Sequence, residues 1–334
     1  MSSDSSFPVA AVTQEVPVAT ITRPAWRRVW WFYGIAFGGA ALVAVLLWLI
    51  GPLAGSSATL VTQLGAALLY MPLPLVAALI VDRRDGRPPL LTTQWRQLRA
   101  NFWPTLGRSV GYAVAVMVAV LGVGLAVSLA ASALGLPGAG HLVGSDAEFT
   151  QNLRQMVPGI TPETQLPGIA VVVGAGVLNG LLAGVTINAL FAFGEEYGWR
   201  GFLADELSPL GAVRANLLTG VLWGLWHAPI IMLGHNYGAD WAIGIPLMVA
   251  WTTPFSFLLW WVRARTGSVL APAFLHGAFN GTVGFFAFIL VDTNRLVALP
   301  VGLLLAVALA VLAAVVWRLP ARSAVPVEAI SPSR

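Results

Sequence analysis

Long apolar runs separated by short polar stretches dominate this chain. A helix needs roughly 20 mostly apolar residues to cross the hydrocarbon of a bilayer. About eight runs meet that length, at approximately 29–52, 58–81, 108–133, one within 168–207, 212–234, 242–262, 268–291 and 296–318. The pattern predicts an all-α fold, a polytopic transmembrane helix bundle. No internal repeat is visible, which weighs against the inverted-repeat architecture of many transporters. Residues 1–25 are polar and rich in Pro, Ser and Thr, without the basic region and short apolar stretch of a secretory signal. They read as a disordered tail, and 319–334 reads similarly. Between the tails lie N-terminal helices with a long loop (26–164), a core rich in polar motifs (165–292) and a last helix (293–318).

Composition strengthens the membrane reading. The 334 residues are 57% hydrophobic and only 10% charged, with a mean hydropathy of +0.80. A soluble domain averages about 25% charged residues, and a soluble chain this apolar would aggregate through its exposed patches. There is no cysteine, which excludes disulfides, a thiol nucleophile and thiolate metal sites.

Charge sets an orientation. The net charge of +4 is carried by arginine alone, and it reads as a topological signal rather than as a nucleic-acid surface. Arg23, Arg27 and Arg28 precede the first run. Arg83, Arg84, Arg87, Arg96, Arg99 and Arg108 lie between the second and third. Arg200 and Arg214 flank the turn after the fourth, Arg263 and Arg265 follow the sixth, and Arg318 and Arg322 follow the eighth. The opposite loops hold only Arg154 and Arg295. The positive-inside rule then predicts both termini in the cytosol. The 134–167 segment becomes the longest extracytosolic loop, and His141 and His235 fall in extracytosolic loops as surface residues. Trp30, Trp31, Trp260 and Trp261 read as interface anchors.

Ionisable groups inside spans are costly and usually functional. Here they gather in the second half of the chain. The fourth run carries Glu195, Glu196 and Arg200, the fifth Trp223 and His227, the seventh His276 and Asn280. Glu196 and Arg200 are four apart and can pair on one helix face. Glu195 is rotated by about 100° and can face elsewhere. His276 and Asn280 share a face, and Trp223 walls His227 one turn away. At 1.5 Å per residue, Glu195, His227 and Asn280 lie ~18–20 Å from the cytosolic helix ends, with His276 one turn nearer. A lone membrane histidine is more often a helix-to-helix hydrogen bond, and a Glu–Arg pair often a structural clamp. Agreement in depth across three helices favours one shared site.

These parts suit activation of water. No nucleophile elbow and no HExxH occurs. Burial penalises the charged form of a carboxylate, which suits it to general-base work near neutral pH. An imidazole and an amide on one face can donate to an oxyanion. Two versions are open. In one, Glu195 and His227 hold the attacking water while His276 and Asn280 stabilise the tetrahedral intermediate. In the other, Glu195, His227 and His276 bind zinc with the fourth position left to water.

At these residues the chain resembles the CPBP family, the CAAX prenyl proteases and bacteriocin-processing enzymes also called the ABI family. Its signatures EExxxR, FxxxH and HxxxN match Glu195-Glu196 to Arg200, Trp223 to His227 and His276 to Asn280, in order. The resemblance covers about 165–292. It implies an intramembrane endopeptidase with Glu195 as the water-activating carboxylate, His227 beside it, His276 and Asn280 at the oxyanion, and Glu196 and Arg200 in support. Trp223 stands where the family usually has Phe, as a conserved aromatic wall. The family has been described both as zinc proteases and as metal-free glutamate proteases. Asn280, a good oxyanion donor and a poor zinc ligand, favours the metal-free version. Expected partners are the lipid bilayer and a peptide or membrane-protein substrate. The all-arginine, Ala/Gly/Val-rich composition points to a bacterial plasma membrane and away from a prenylated substrate. Two readings of other classes compete: a proton- or ion-coupled transporter, and a non-enzymatic immunity or scaffold protein.

Overall fold

The computed structural model describes residues 23–319 apart from 52, 54–57, 158 and 162. The tails expected at 1–25 and 319–334 fall almost wholly outside these residues. The fold is a helix bundle with a two-stranded ribbon at one end. Its helices are α1 (Trp26–Ile50), α2 (Leu60–Arg84), α3 (Leu90–Ala100), α4 (Phe102–Ala133), α5 (Asp146–Met156), α6 (Ile169–Gly184), α7 (Ile187–Glu206), α8 (Ala212–Trp226), α9 (Trp241–Thr266), α10 (Leu270–Thr282) and α11 (Leu303–Trp317). The ribbon pairs β1 (His141–Leu142) antiparallel with β2 (Leu290–Val291).

Among the described residues, five helical stretches are long and apolar enough to cross a membrane alone. Helices α6 and α7 make a sixth if they count as one span bent by 51°. The sequence pattern predicts about eight. The difference lies in α8 and α11, each only 15 residues long. In the 212–234 run the helix stops at His227. Pro229 follows, lacks an amide hydrogen and cannot continue the ladder. In the 296–318 run the first residues form a loop through Pro300, and the helix starts at Leu303. Apolarity in both runs extends past the helix because the loops are themselves packed.

Helix α10 is the axis of the bundle and touches α4, α6, α7 and α9. Residues 271–279 are all buried, so its apolar character all round fits a core helix. One of these neighbours, α6, meets it through small residues. Gly180 and Gly184 of α6 face Gly281 and Ala278 of α10, where a Cβ on either glycine would strike backbone. This small-residue seam lets helices approach closely in a membrane. It fixes the register of α10, and with it His276 and Asn280.

The 134–167 loop carries structure of its own. Ser145 caps α5 by accepting from the Glu148 amide at 3.2 Å, as an N-cap should. Asn152 donates to the carbonyls of Ala287 and Phe288 at 3.1 and 2.8 Å. His141 is exposed and meets Glu148 at 3.0 Å.

At the arginine-rich end, Arg28 is buried and binds three carboxylates. Its Nε reaches Glu206 at 2.7 Å, Nη1 reaches Asp85 at 2.9 Å and Nη2 reaches Asp82 at 2.6 Å. The cluster ties α1 and α2 to the end of α7.

Candidate active site

Two of the three motif segments sit at a departure from regular helix, while His276 and Asn280 lie within the regular α10. A π-helical turn, Tyr197–Phe202, follows Glu196 directly, and single π turns often mark functional sites. Glu196 and Arg200 nevertheless pair, at 3.1 Å. His227 caps the end of α8. A second π-helical turn, Ala66–Tyr70, lies in α2.

The two consecutive carboxylates diverge. Glu196 Oε1 accepts from Arg200 Nη1 and lies 2.8 Å from His276 Nδ1. Glu195 Oε2 accepts from the Trp223 indole at 2.7 Å. Both histidines have their tautomer set by an acceptor. His227 Nδ1 lies 2.8 Å from the Trp223 carbonyl, which can only accept, so Nδ1 carries the proton. The Glu196 carboxylate does the same for His276. At His227 this leaves Nε2 as an acceptor, while His276 Nε2 can donate only when it carries a proton as well.

Glu195, His227, His276 and Asn280 line one cavity of about 370 Å³. Tyr70, Trp251, Phe255 and Phe279 give it an aromatic lining. The Tyr70 hydroxyl donates to the Trp226 carbonyl. Asn280 is exposed to the cavity, and its side chain makes no hydrogen bond among the described residues.

Trp223 does more than form a wall. Its indole holds Glu195, its carbonyl holds His227, its ring lies 5.4 Å from that of His276 and the Arg200 guanidinium stacks 4.2 Å from its centroid. A phenylalanine could supply the ring but not the donor. The departure from the family motif therefore changes the site.

His235, read from sequence as a surface residue, is exposed but also lines this cavity. Sequence reasoning missed it because it lies outside every motif. Tyr70, Phe255 and Phe279 were missed for another reason: an aromatic in an apolar run looks the same whether it lines a cavity or fills a core.

Among the described residues, no three His, Cys, Asp or Glu side chains are grouped to hold a metal ion. Glu195 is turned to Trp223, and His276 is turned to Glu196.

Residues 170–282 match the family model described as type II CAAX prenyl endopeptidase Rce1-like. All three motifs lie inside that stretch. The core of this chain is similar to that family over about a third of its length. A 44-residue stretch is also 43% identical to CAAX prenyl protease 2 of Methanococcus maripaludis. That match covers 13% of this chain and 16% of the relative, so the chain spans about a sixth of that protein. No solved structure matches the chain. The resemblance to the CAAX proteases read from the three motifs is borne out, and the chain is a multi-pass membrane protein.

Proposed function

We propose that the protein is an intramembrane endopeptidase that cleaves peptide bonds of membrane-associated or C-terminal peptide substrates without a metal. The arrangement that carries this reading is the meeting of Glu195, His227, His276 and Asn280, from three helices, on one cavity inside the bundle. Glu195 takes a proton from a water held between it and His227 Nε2. The hydroxide attacks the scissile carbonyl. Asn280 Nδ2 donates to the oxyanion that forms, and so does His276 Nε2 with the ring carrying a proton on both nitrogens against the Glu196 carboxylate. Glu196 steadies His276 as its share of charge grows, and Arg200 steadies Glu196. Glu195 then returns its proton to the leaving amine. The arginine-bearing helix ends and both termini face the cytosol, and the membrane is a bacterial plasma membrane.

The test is metal dependence combined with an oxyanion series. Activity on a membrane peptide library should survive exhaustive chelation. Asn280→Ala should lower turnover about 10²–10³-fold, the usual effect of losing one oxyanion donor. Asn280→Asp should be at least as harmful, since it places an anion where negative charge develops. Activity that disappears on chelation and returns with zinc, with little effect of Asn280→Ala, would overturn the metal-free mechanism. Bound zinc that tracks activity across His227→Ala and His276→Ala would do the same.

A further inference from the structure

The cavity is not central to the bundle but leans to one end. Its deep wall is Glu195, Trp223, Phe255 and His276. Its outer lining comes from two loops, His235-Asn236 and Pro300-Val301. The first loop leads into α9 and the second into α11. Arg263 and Arg265 sit in the last turn of α9 and Arg318 caps α11, both at the far ends of those helices. Arg214 lies at the start of α8, 13 residues before His227 and ~20 Å away along the axis. The mouth therefore opens on the face opposite the arginine-bearing ends. Towards the arginine-rich side, Trp199, Trp226, Phe202 and Leu203 are buried and close the bundle.

The mouth is a built feature. Its turn uses left-handed backbone at Gly234, Asn236 and Gly238, with φ of 95°, 62° and 57°. Glycine and asparagine are the residues that accept such angles. Tyr237, between them, is fully buried. Its hydroxyl donates to the Val301 carbonyl at 2.9 Å and accepts from Trp251 at 3.1 Å. His235 and Asn236 are thus held at the rim. Arg295 completes it: a Cβ on Gly238 would lie 2.8 Å from its guanidinium. Arg295 has no carboxylate partner among the described residues. The only acidic residue lining the cavity is Glu195, at its base. The rim is a set of nitrogen donors above an aromatic chamber.

We infer that the substrate is a peptide presented on the extracytosolic face, anchored by a carboxylate at His235, Asn236 and Arg295. Its apolar side chains enter the aromatic chamber towards Glu195. The direction of approach follows from the cavity and the arginine asymmetry alone; the peptide nature of the ligand rests on the protease reading above. A terminal carboxylate and an acidic side chain offer the same chemistry at this rim.

The chain has no cysteine, so single thiols can be introduced without background. In intact bacterial cells, Val301→Cys should react with a membrane-impermeant thiol reagent. Ser208→Cys, on the arginine-rich side, should react only after permeabilisation. Val301→Cys that reacts only after permeabilisation overturns the direction of approach. Protection of that thiol then reports binding without turnover. An apolar heptapeptide with a free C-terminus should protect at least about 10-fold better than its C-terminal amide, the effect of one hydrogen bond to a charged group. Arg295→Gln should erase the difference. An amide carrying one Glu near its end that regains protection assigns the anchor to a side chain instead. Equal protection by all three peptides overturns carboxylate recognition. Glu195→Gln should leave labelling and protection unchanged. Outside labelling and protection in a wild-type protein that cleaves nothing would sink the protease reading and leave this inference standing.

Discussion

Two buried charge clusters, one at the C-terminal end of the motif helix and one at its middle, use the same residue types differently. Around Arg28 each of the three guanidinium nitrogens has its own carboxylate, Glu206, Asp85 or Asp82. Around Arg200 only Nη1 has one, and Glu196 Oε1 serves both Arg200 and His276. Arg200 Nε and Nη2 and Glu196 Oε2 have no partner among the described residues. A closed network rigidifies what it joins. An unfilled one is costly and needs a reason. On the mechanism proposed above the reason is adjustability, because Glu196 could strengthen its hold on His276 when charge moves through the cavity. On that reading the first cluster is a clamp and the second belongs to the chemistry.

The sharpest way to break that division is Glu195→Gln. The amide nearly conserves shape and cannot take a proton. Turnover should fall by about 10²–10⁴-fold, the range of a general base, while thermal stability stays near that of the parent. A large drop in melting temperature with Glu195→Gln would make it a structural residue and dissolve the contrast.

Next come the two arginines. Arg28→Leu strands Asp82 and leaves Asp85 and Glu206 with only Arg27 and Arg87, and Arg200→Leu leaves Glu196 with His276 alone. Leaving a buried charge unpaired costs about 3–5 kcal/mol in soluble proteins. Both variants should melt early, Arg28→Leu more so because it breaks three contacts. Arg28→Leu should keep its activity at low temperature, whereas Arg200→Leu should lose activity even where it is folded. Equal activity of the two folded variants would merge the clusters into one structural class.

The bundle and the site differ in how far sequence alone could read them. Apolar runs and arginine placement carry the helices because crossing lipid needs length and apolarity, both visible in a string. They do not carry where α8 stops and α11 starts, since packed loops stay apolar beside the helix. The pairs Glu196–Arg200 and His276–Asn280 follow from helical spacing. The bond between Glu196 and His276 spans 80 residues and no spacing encodes it. The indole bond from Trp223 to Glu195 was hidden too, since a motif position read as aromatic says nothing about a donor. The Arg28 clamp was invisible for an instructive reason: its arginine was fully accounted for by topology, so nothing prompted a search for its carboxylates.

Trp223→Phe tests the hidden bond. It keeps the ring against Arg200 and His276 and removes the donor to Glu195. Hydrogen bonds to charged groups are worth about 1.5–3 kcal/mol, so turnover should fall by about 10–100-fold with little change in KM. Unchanged turnover would return Trp223 to the role of a wall.

The smallest effect concerns acid. Asp85 lies just beyond α2, outside the membrane span. Its hydrogen bond from Arg28, with Arg27 and Arg84 adding attraction, holds its carboxyl below the usual carboxylate range. The folded form therefore binds a proton less readily than the unfolded chain. Its contribution to stability is fully present above the unfolded carboxylate value. It is lost as pH falls through the lower, folded one. Acid should loosen the Arg28 clamp before it touches the aromatic chamber. Asp85→Asn should flatten the acid limb of a melting-temperature profile by lowering the neutral plateau modestly towards the acid level, because the stabilisation it removes is the one present at neutral pH. A mutant profile that keeps the parent's acid limb would take the acid sensitivity away from Asp85.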